Sequence, residues 1–335
     1  MLPKYYIYLL TILGMLTVIC AGQNLLMGYT GLVSIGQSAF VAVSAYGATI
    51  LTVKLGVPMY VSLPVGVLVS TAFAALVALP VLRLKELYLA IVTVALAEIV
   101  RTAIERGGEF TGAHDGLVVP PLNLGVSSTL DFRTIYYVVL IVTVLMMVVA
   151  RNLVHSKVGR AFTALRDSEV AAASLGIPAA RYKTLAFTIA GFYAAVGGSL
   201  FALVMRSISP MDFTVWQSVD YLLITVVGGV GTLAGPLLGS ALFLVLREGL
   251  RSLLGAQELA YGLLLLVTVL YLPKGIGPAV THVAFAGLRH VTRAWAGLRM
   301  RGKGPETKQV DVAGECNPSP QQRPVPPSVD TKEEV

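Results

Sequence analysis

The chain has 335 residues, 56% of them hydrophobic and only 13% charged, with a formal net charge of +7. An ordinary soluble domain carries about 25% charged residues, so the composition excludes a water-solvated globule and points to a chain solvated by lipid. The positive balance is no nucleic-acid signature, because Lys and Arg gather in one loop and in the C-terminal region and no nucleic-acid-reading motif accompanies them. Cys20 and Cys316 offer neither a disulfide framework nor metal-ligand spacing.

Charge spacing sharpens the membrane reading. No Asp, Glu, Lys or Arg occurs between Tyr5 and Val53, between Leu55 and Leu82, or between Thr184 and Met205. A bilayer core about 30 Å thick needs roughly 20 apolar helical residues. The candidate spans in chain order are 5–25, 35–54, 58–82, 87–104, 134–150, 184–205, 213–231, 234–253 and 258–272. The first is expected to stay as a helix rather than leave as a signal peptide, since the bulky Ile19 precedes Cys20 and further spans follow.

The expected fold is all-α, a polytopic transmembrane bundle with eight or nine crossings. Gln23–Gln37, crowded with Gly28, Gly31, Gly36, Asn24 and Ser34, is its re-entrant or broken segment. Two polar loops orient the bundle. Arg151–Lys183 carries six basic residues against Asp167 and Glu169, which places it in the cytoplasm. Glu105–Arg133 then falls on the opposite side. Simple alternation leaves Lys4 outside, against the positive-inside rule, unless one early segment is re-entrant. Glu98 and Asp220 are costly in lipid, about 2.5–3.5 kcal/mol each at a helix centre. Arg101 beside Glu98 suggests structural pairing over proton relay.

Residues 1–278 read as the membrane domain, with 151–183 as its cytoplasmic loop. Across 279–300, His282, Arg289 and Arg293 fall on one helical side, with Leu288, Val291, Trp295 and Leu298 on the other. That pattern suits an amphipathic helix lying on membrane lipid. The remainder, 301–335, is rich in Pro, Gln, Glu and Lys, the composition of a disordered tail.

Three motifs carry functional information. The first is Gly159-Arg-Ala-Phe-Thr-Ala-Leu-Arg-Asp-Ser-Glu169-Val-Ala-Ala-Ala-Ser-Leu-Gly176-Ile-Pro178. It favours a short helix whose small residues allow close approach of another surface, and Gly176 before Pro178 supplies the stop. The second, Gly228-Gly-Val-Gly231-Thr-Leu-Ala-Gly235-Pro-Leu-Leu-Gly239, spaces Gly231, Gly235 and Gly239 four apart, as close helix packing requires. The third, Tyr29-Thr-Gly-Leu-Val-Ser-Ile-Gly-Gln-Ser-Ala-Phe40 followed by Ser44-Ala-Tyr46-Gly47, has a loose echo in Gly235–Leu244.

Glu169-x-Ala-Ala-Ala-x-x-Gly176 resembles the Glu-Ala-Ala loop of ABC-importer membrane subunits, and its surroundings resemble the branched-chain amino acid (LIV-type) permeases. The likeness extends over about 20–278, through the third motif and Tyr271-Leu-Pro-Lys-Gly-Ile-Gly277. Gln37 departs from it, standing where His is common. What the resemblance implies is a multi-pass permease subunit in a bacterial inner membrane. Its expected partners are ABC ATPase subunits, a second homologous permease subunit and a substrate-binding protein. It assigns ATPase coupling to Arg160, Leu165, Arg166, Asp167, Glu169, Ala172, Ala173 and Gly176, and a translocation pathway to Ser34, Gly36, Gln37, Ser38, Gly228, Gly229 and Gly231. Branched-chain amino acids are the implied cargo, with other amino acids, amides or urea carried by related systems.

No phosphate-binding Gly-x-x-x-x-Gly-Lys-[Ser/Thr] loop is present, so ATP hydrolysis falls to a separate subunit. No nucleophile–base pair, dinucleotide loop or zinc spacing is visible, and no catalytic residue, metal or cofactor is expected. The rival reading, a self-sufficient secondary transporter or channel, leaves the Ala-rich loop without a use. Truncation after Met300 should leave membrane insertion and uptake near wild type, because 301–335 has too few apolar residues to bury. Loss of insertion in a membrane-fractionation assay would contradict that.

Overall fold

In a computed structural model of the chain, the described residues are 4–81, 86–119, 132–249 and 262. Helix α1 (Lys4–Asn24) passes into one π-helical turn, Leu25–Tyr29. There follow α2 (Gln37–Val53), α3 (Met59–Val81), α4 (Glu86–Glu105), α5 (Phe132–His155), α6 (Lys157–Asp167), α7 (Glu169–Ser174), α8 (Ala179–Met205), α9 (Val215–Gly229) and α10 (Gly235–Gly249). Among the described residues, four stretches are long and apolar enough to cross a membrane: Lys4–Tyr29, Met59–Pro80, Arg133–His155 and Ala179–Met205. The span expected over 258–272, the helix over 279–300 and the tail over 301–335 lie outside the described residues.

Small residues set the packing at the bundle's centre, where α2, α3 and α8 meet. A Cβ on Gly66 of α3 would fall 2.7 Å from the Ser44 carbonyl of α2, and one on Gly198 of α8 would collide with the Val41 carbonyl. Hydroxyls at these close approaches donate to neighbouring backbones: Ser44 to the Ala195 carbonyl at 2.6 Å and Ser70 to the Phe40 carbonyl at 2.7 Å. Helices in lipid gain little from hydrophobicity among themselves, so backbone proximity and interhelical hydrogen bonds carry their association. The outer faces are apolar instead. Leu68 and Leu76 of α3, Ile91 and Ile99 of α4, and Ile141 and Leu145 of α5 are all exposed, as lipid contact demands.

Helix direction follows from contacts along α8. The start of α1 meets the end of α8, where the Tyr8 hydroxyl lies 3.8 Å from Met205 Sδ, while Gly22 sits against Ala190 and Tyr193 farther down. α1 thus runs antiparallel to α8 and ends near α6, where Gly28 meets Arg166. α2 runs with α8, pairing Gln37 with Ala190 and Ser44 with Ala195 and Ser199. A two-residue antiparallel ladder, β1 (Leu117–Val118) with β2 (Ser207–Ile208), joins the loop after α4 to the end of α8. Lys4 therefore shares an end with 105–119, and α6 and α7 occupy the other. The early segment is broken rather than re-entrant: α1 traverses the bundle before the chain turns back. On this path the start of α1 and the 151–183 loop lie at opposite ends of the bundle, the arrangement simple alternation gives.

Two helices outrun their apolar windows. α5 continues to His155 past Arg151, and α8 begins at Ala179 ahead of Lys183. Hydropathy ends at the first charge, whereas helical hydrogen bonding continues until a capping group intervenes. Single cysteines at Lys4 and Asp115, in a chain lacking Cys20 and Cys316, should react with an impermeant thiol reagent from one side, and a cysteine at Ser168 from the other. Reaction of the Lys4 and Ser168 positions from the same side would overturn this arrangement.

Candidate coupling and translocation site

The loop after α5 folds into two short helices because serine caps both. Ser156 accepts from the Val158 and Gly159 N–H groups at 3.1 and 3.4 Å, starting α6. Ser168 is extended (φ −163°, ψ 116°); it ends α6 and accepts from the Ala171 N–H at 3.3 Å to start α7. Such caps contribute about 0.5–2 kcal/mol each. The motif read from sequence as one helix-favouring run is thus two helices about a serine joint.

One face of α6 is buried, comprising Gly159, Ala161, Phe162 and Leu165. Phe162 stands edge-on to Tyr182 of α8, with ring centroids 6.4 Å apart. Of α7 only Ala172 is buried, at 1% exposure, whereas Ala173 is exposed and Val170 and the following Leu175 are each 79% exposed. Ala172 and Ala173 were expected to act alike. The structure separates them, Ala172 packing on its own chain and Ala173 facing away. Gly176 is left-handed (φ 79°), with its N–H donating to the Ala173 carbonyl and the Ile177 N–H to the Ala172 carbonyl, both at 3.0 Å. This Schellman ending is what Gly followed by a near proline predicts. Lys183 Nζ donates to Glu169 Oε2 at 2.6 Å, tying α7 to the first turns of α8. Arg160 lies on the exposed side of α6, its Nη1 3.4 Å from the His155 carbonyl.

Arg166 points the other way. Its Nη1 donates to the Gly28 carbonyl at 2.8 Å, and its Nε and Nη2 lie 3.3 and 3.2 Å from Asp167 Oδ1. The chain leaves helical geometry at Gly31 (φ 77°), so a following turn cannot satisfy Gly28 and the guanidinium does. A charged donor of this kind contributes about 1.5–3 kcal/mol when buried, and the partial exposure of Arg166 places it toward the low end. Gly28 also touches the turn between α9 and α10: a Cβ there would lie 2.8 Å from the Gly231 Cα. Asn24 sews the two breaks together, accepting from the Gly231 N–H and donating to the Thr232 carbonyl, both at 2.8 Å. Gly228 and Gly239 face each other across that turn, the added Cβ on Gly239 falling 3.0 Å from the Gly228 Cα. Gly231 belongs to the turn itself (φ 75°) rather than to a helical glycine stripe.

The remaining pathway candidates lie deeper. Gln23 Nε2 donates to the Ser34 carbonyl at 2.7 Å, and Thr93 Oγ1 accepts from the Ile35 N–H at 3.0 Å. Gly36 abuts Thr93, where a Cβ would sit 2.8 Å from its carbonyl oxygen. Gln37 Nε2 reaches the Ala190 carbonyl at 3.4 Å. Ser38 pairs with Ser218 of α9 through its N–H at 2.9 Å and through the two hydroxyls at 2.7 Å. Ser34, Gly36, Gln37 and Ser38 are all buried and hold irregular backbone to its neighbours. Gly228 and Gly229 are buried at the other break.

Reading the sequence placed Asn24 and Gly28 in a broken segment without joining them to Gly231 and Thr232, and it missed Thr93 and Ser218. The available signal was Asn24 and Gln23 side by side in an otherwise apolar helix, since a buried amide must bond something. Glu98 pairs with Arg101 as expected, and Arg101 Nη1 also reaches Glu105 Oε2 at 2.8 Å, so one guanidinium serves two carboxylates. Among the described residues no group of His, Cys, Asp and Glu is placed to hold a metal ion.

A family model described as "Branched-chain amino acid transport system / permease component" matches residues 5–272. The high-affinity branched-chain amino acid transport system permease protein LivM of Salmonella typhimurium is 33% identical over 281 residues, covering 77% of this chain and 66% of the relative. LivM of Escherichia coli K12 is 32% identical with the same shares. A probable branched-chain amino acid transport permease protein LivM of Methanocaldococcus jannaschii is 26% identical, covering 61% of this chain and 64% of that one. The chain thus spans just under two thirds of these relatives' lengths. No solved structure matches it significantly. With its apolar helices, charge-poor spans and broken segments, the chain is a multi-pass membrane protein and belongs to the branched-chain amino acid transport system permease-component family.

Proposed function

We propose that the chain is the membrane-spanning permease subunit of an ATP-driven importer in a bacterial inner membrane. It passes branched-chain amino acids, or a related small solute, delivered by a binding protein on the side of 105–119. A separate ATPase docks on α7 and supplies the energy, and a second homologous permease subunit completes the pathway. The observation that carries this reading is the exposed surface of α7. A six-residue helix is too short to be stable alone, yet this one is capped at Ser168, closed at Gly176 and pinned by Lys183, and it presents Val170, Ala173 and Leu175 outward. A loop whose only task was to join α6 to α8 would gain nothing by exposing two large apolar residues at 79%. Family membership supports the transport role, and the basic balance of 151–183 supports a cytoplasmic location for α7.

Glu169 and Gly176 shape this surface, the one through Lys183 and the other through its left-handed turn, and Arg160 extends it along α6. Leu165 acts from beneath by anchoring α6. Ala173→Trp and Val170→Asp should lower ATPase co-purification by about tenfold, equivalent to about 1.4 kcal/mol, with membrane yield unchanged. Ala172→Trp should lower yield as well, because that side chain is buried. Glu169→Gln should have the mildest effect, since the amide oxygen can still accept from Lys183 and only the charge of the pair is lost. Full ATPase association and uptake in Ala173→Trp and Val170→Asp, measured in cells co-expressing the partner subunits, would remove α7 as the docking surface. Uptake that persists without any ATPase would mark a self-sufficient transporter instead.

A further inference from the structure

We propose that Arg166 is a positioning residue that links the coupling loop to the inner ends of the pathway helices, rather than part of the surface that meets the ATPase. The inference rests on the permease reading above and gives one residue of that loop a separate task.

Arg166 stands on the last turn of α6, two residues before the Ser168 joint and the exposed α7. Its aliphatic stem lies along the turn after α1, where a Cβ on Gly31 would be 3.3 Å from Arg166 Cγ. Its Nη1 holds the Gly28 carbonyl and comes within 3.5 Å of a Cβ placed on Gly231. One guanidinium therefore borders three elements: the end of α6, the break between α1 and α2, and the turn between α9 and α10. Asn24 already joins the last two, so anything that shifts Arg166 bears on both.

The chemistry suits arginine specifically. The planar fork lets Nη1 bond a carbonyl while Nε and Nη2 face the Asp167 carboxylate, which fixes the plane of the group. A lysine reaches the same carbonyl with a single point charge and no fixed plane. The link is also breakable. The Arg166 side chain is 41% exposed while Phe162 and Leu165 are buried separately, so a displacement of α7 passed through Ser168 to the last turn of α6 can release it with those two still packed on the bundle. Transmission between sites requires a contact that one state makes and another releases.

The test reconstitutes the full complex, with its ATPase and binding protein, in proteoliposomes and uses leucine as the probe. Four quantities are read for Arg166→Gln, Arg166→Lys and Asp167→Asn: ATPase association, basal hydrolysis, stimulation by loaded binding protein, and uptake per assembled complex. Arg166→Gln should keep association and basal hydrolysis within about twofold. It should lose stimulation, and its uptake should fall about 5- to 150-fold, the span of ordinary coupling free energies. Arg166→Lys should recover part of the uptake, and Asp167→Asn should lie between the two. If Arg166→Gln fails to assemble, the stimulation ratio in Asp167→Asn and Arg166→Lys decides. Uptake and stimulation per complex at wild-type level in these variants would overturn the proposal, as would a loss of association that accounts for the whole defect. Failure of the wild-type chain to bind any ATPase would instead overturn the permease reading itself.

Discussion

Inside a bilayer no water is available to a backbone group that leaves its helix, so every break in a spanning segment needs a protein partner. This constraint organises the chain. The turn after α1 and the turn between α9 and α10 both abandon helical geometry, and polar residues of α1, α4 and α6 serve them. Asn24 satisfies Gly231 and Thr232, Gln23 satisfies Ser34, Thr93 satisfies Ile35, and Arg166 satisfies Gly28. Each bond crosses between elements, so repairing the breaks also welds the helices into one assembly. The glycines allow this because Gly28 and Gly231 approach too closely for side chains.

The same bonds explain why three motifs far apart in sequence belong together. The Ala-rich loop, the early Gly–Ser segment and the late glycine run converge where α6 meets the ends of α1 and α9. Coupling requires a surface that a partner can push and a mechanical route from it to the pathway. In the proposed importer, α7 is that surface, held out by its two caps, and the end of α6 is that route. Deeper in the bundle, the Ser38–Ser218 pair joins the start of α2 to α9, so the two broken hairpins are tied at a second level.

Much of this was legible in the sequence. Charge-free runs located the helices, and Gly176 with Pro178 marked the end of α7. The polar crowding over 23–37 announced a break, and the six-to-two excess of basic residues picked out the loop that holds α6 and α7. What stayed hidden depends on distance through space. Gly28 and Gly231 are ordinary glycines until they are seen in contact. Arg166 and Arg160 look interchangeable in the motif, yet Arg166 reaches across to the Gly28 carbonyl while Arg160 reaches back to the His155 carbonyl, because only the face of α6 bearing Gly159, Phe162 and Leu165 lies on the bundle. Ala172 and Ala173 differ for the same reason, since α7 is a six-residue helix with one side on the bundle. Ser168 as a joint was equally invisible, a helix-compatible residue that adopts extended backbone only because its hydroxyl caps the next helix.

The central claim is that the coupling loop and the inner end of α1 form one junction, and intramolecular disulfide trapping tests it directly. A Cβ on Gly31 would lie 3.9 Å from that of Arg166, close to the roughly 3.8 Å mean of natural disulfides. In membranes containing the chain with Cys20 and Cys316 replaced, cysteines at positions 31 and 166 should crosslink readily under mild oxidant, while a control pair at 31 and 174 should not. Equal crosslinking of the two pairs, or none at 31 and 166, would contradict the junction and the coupling route built on it.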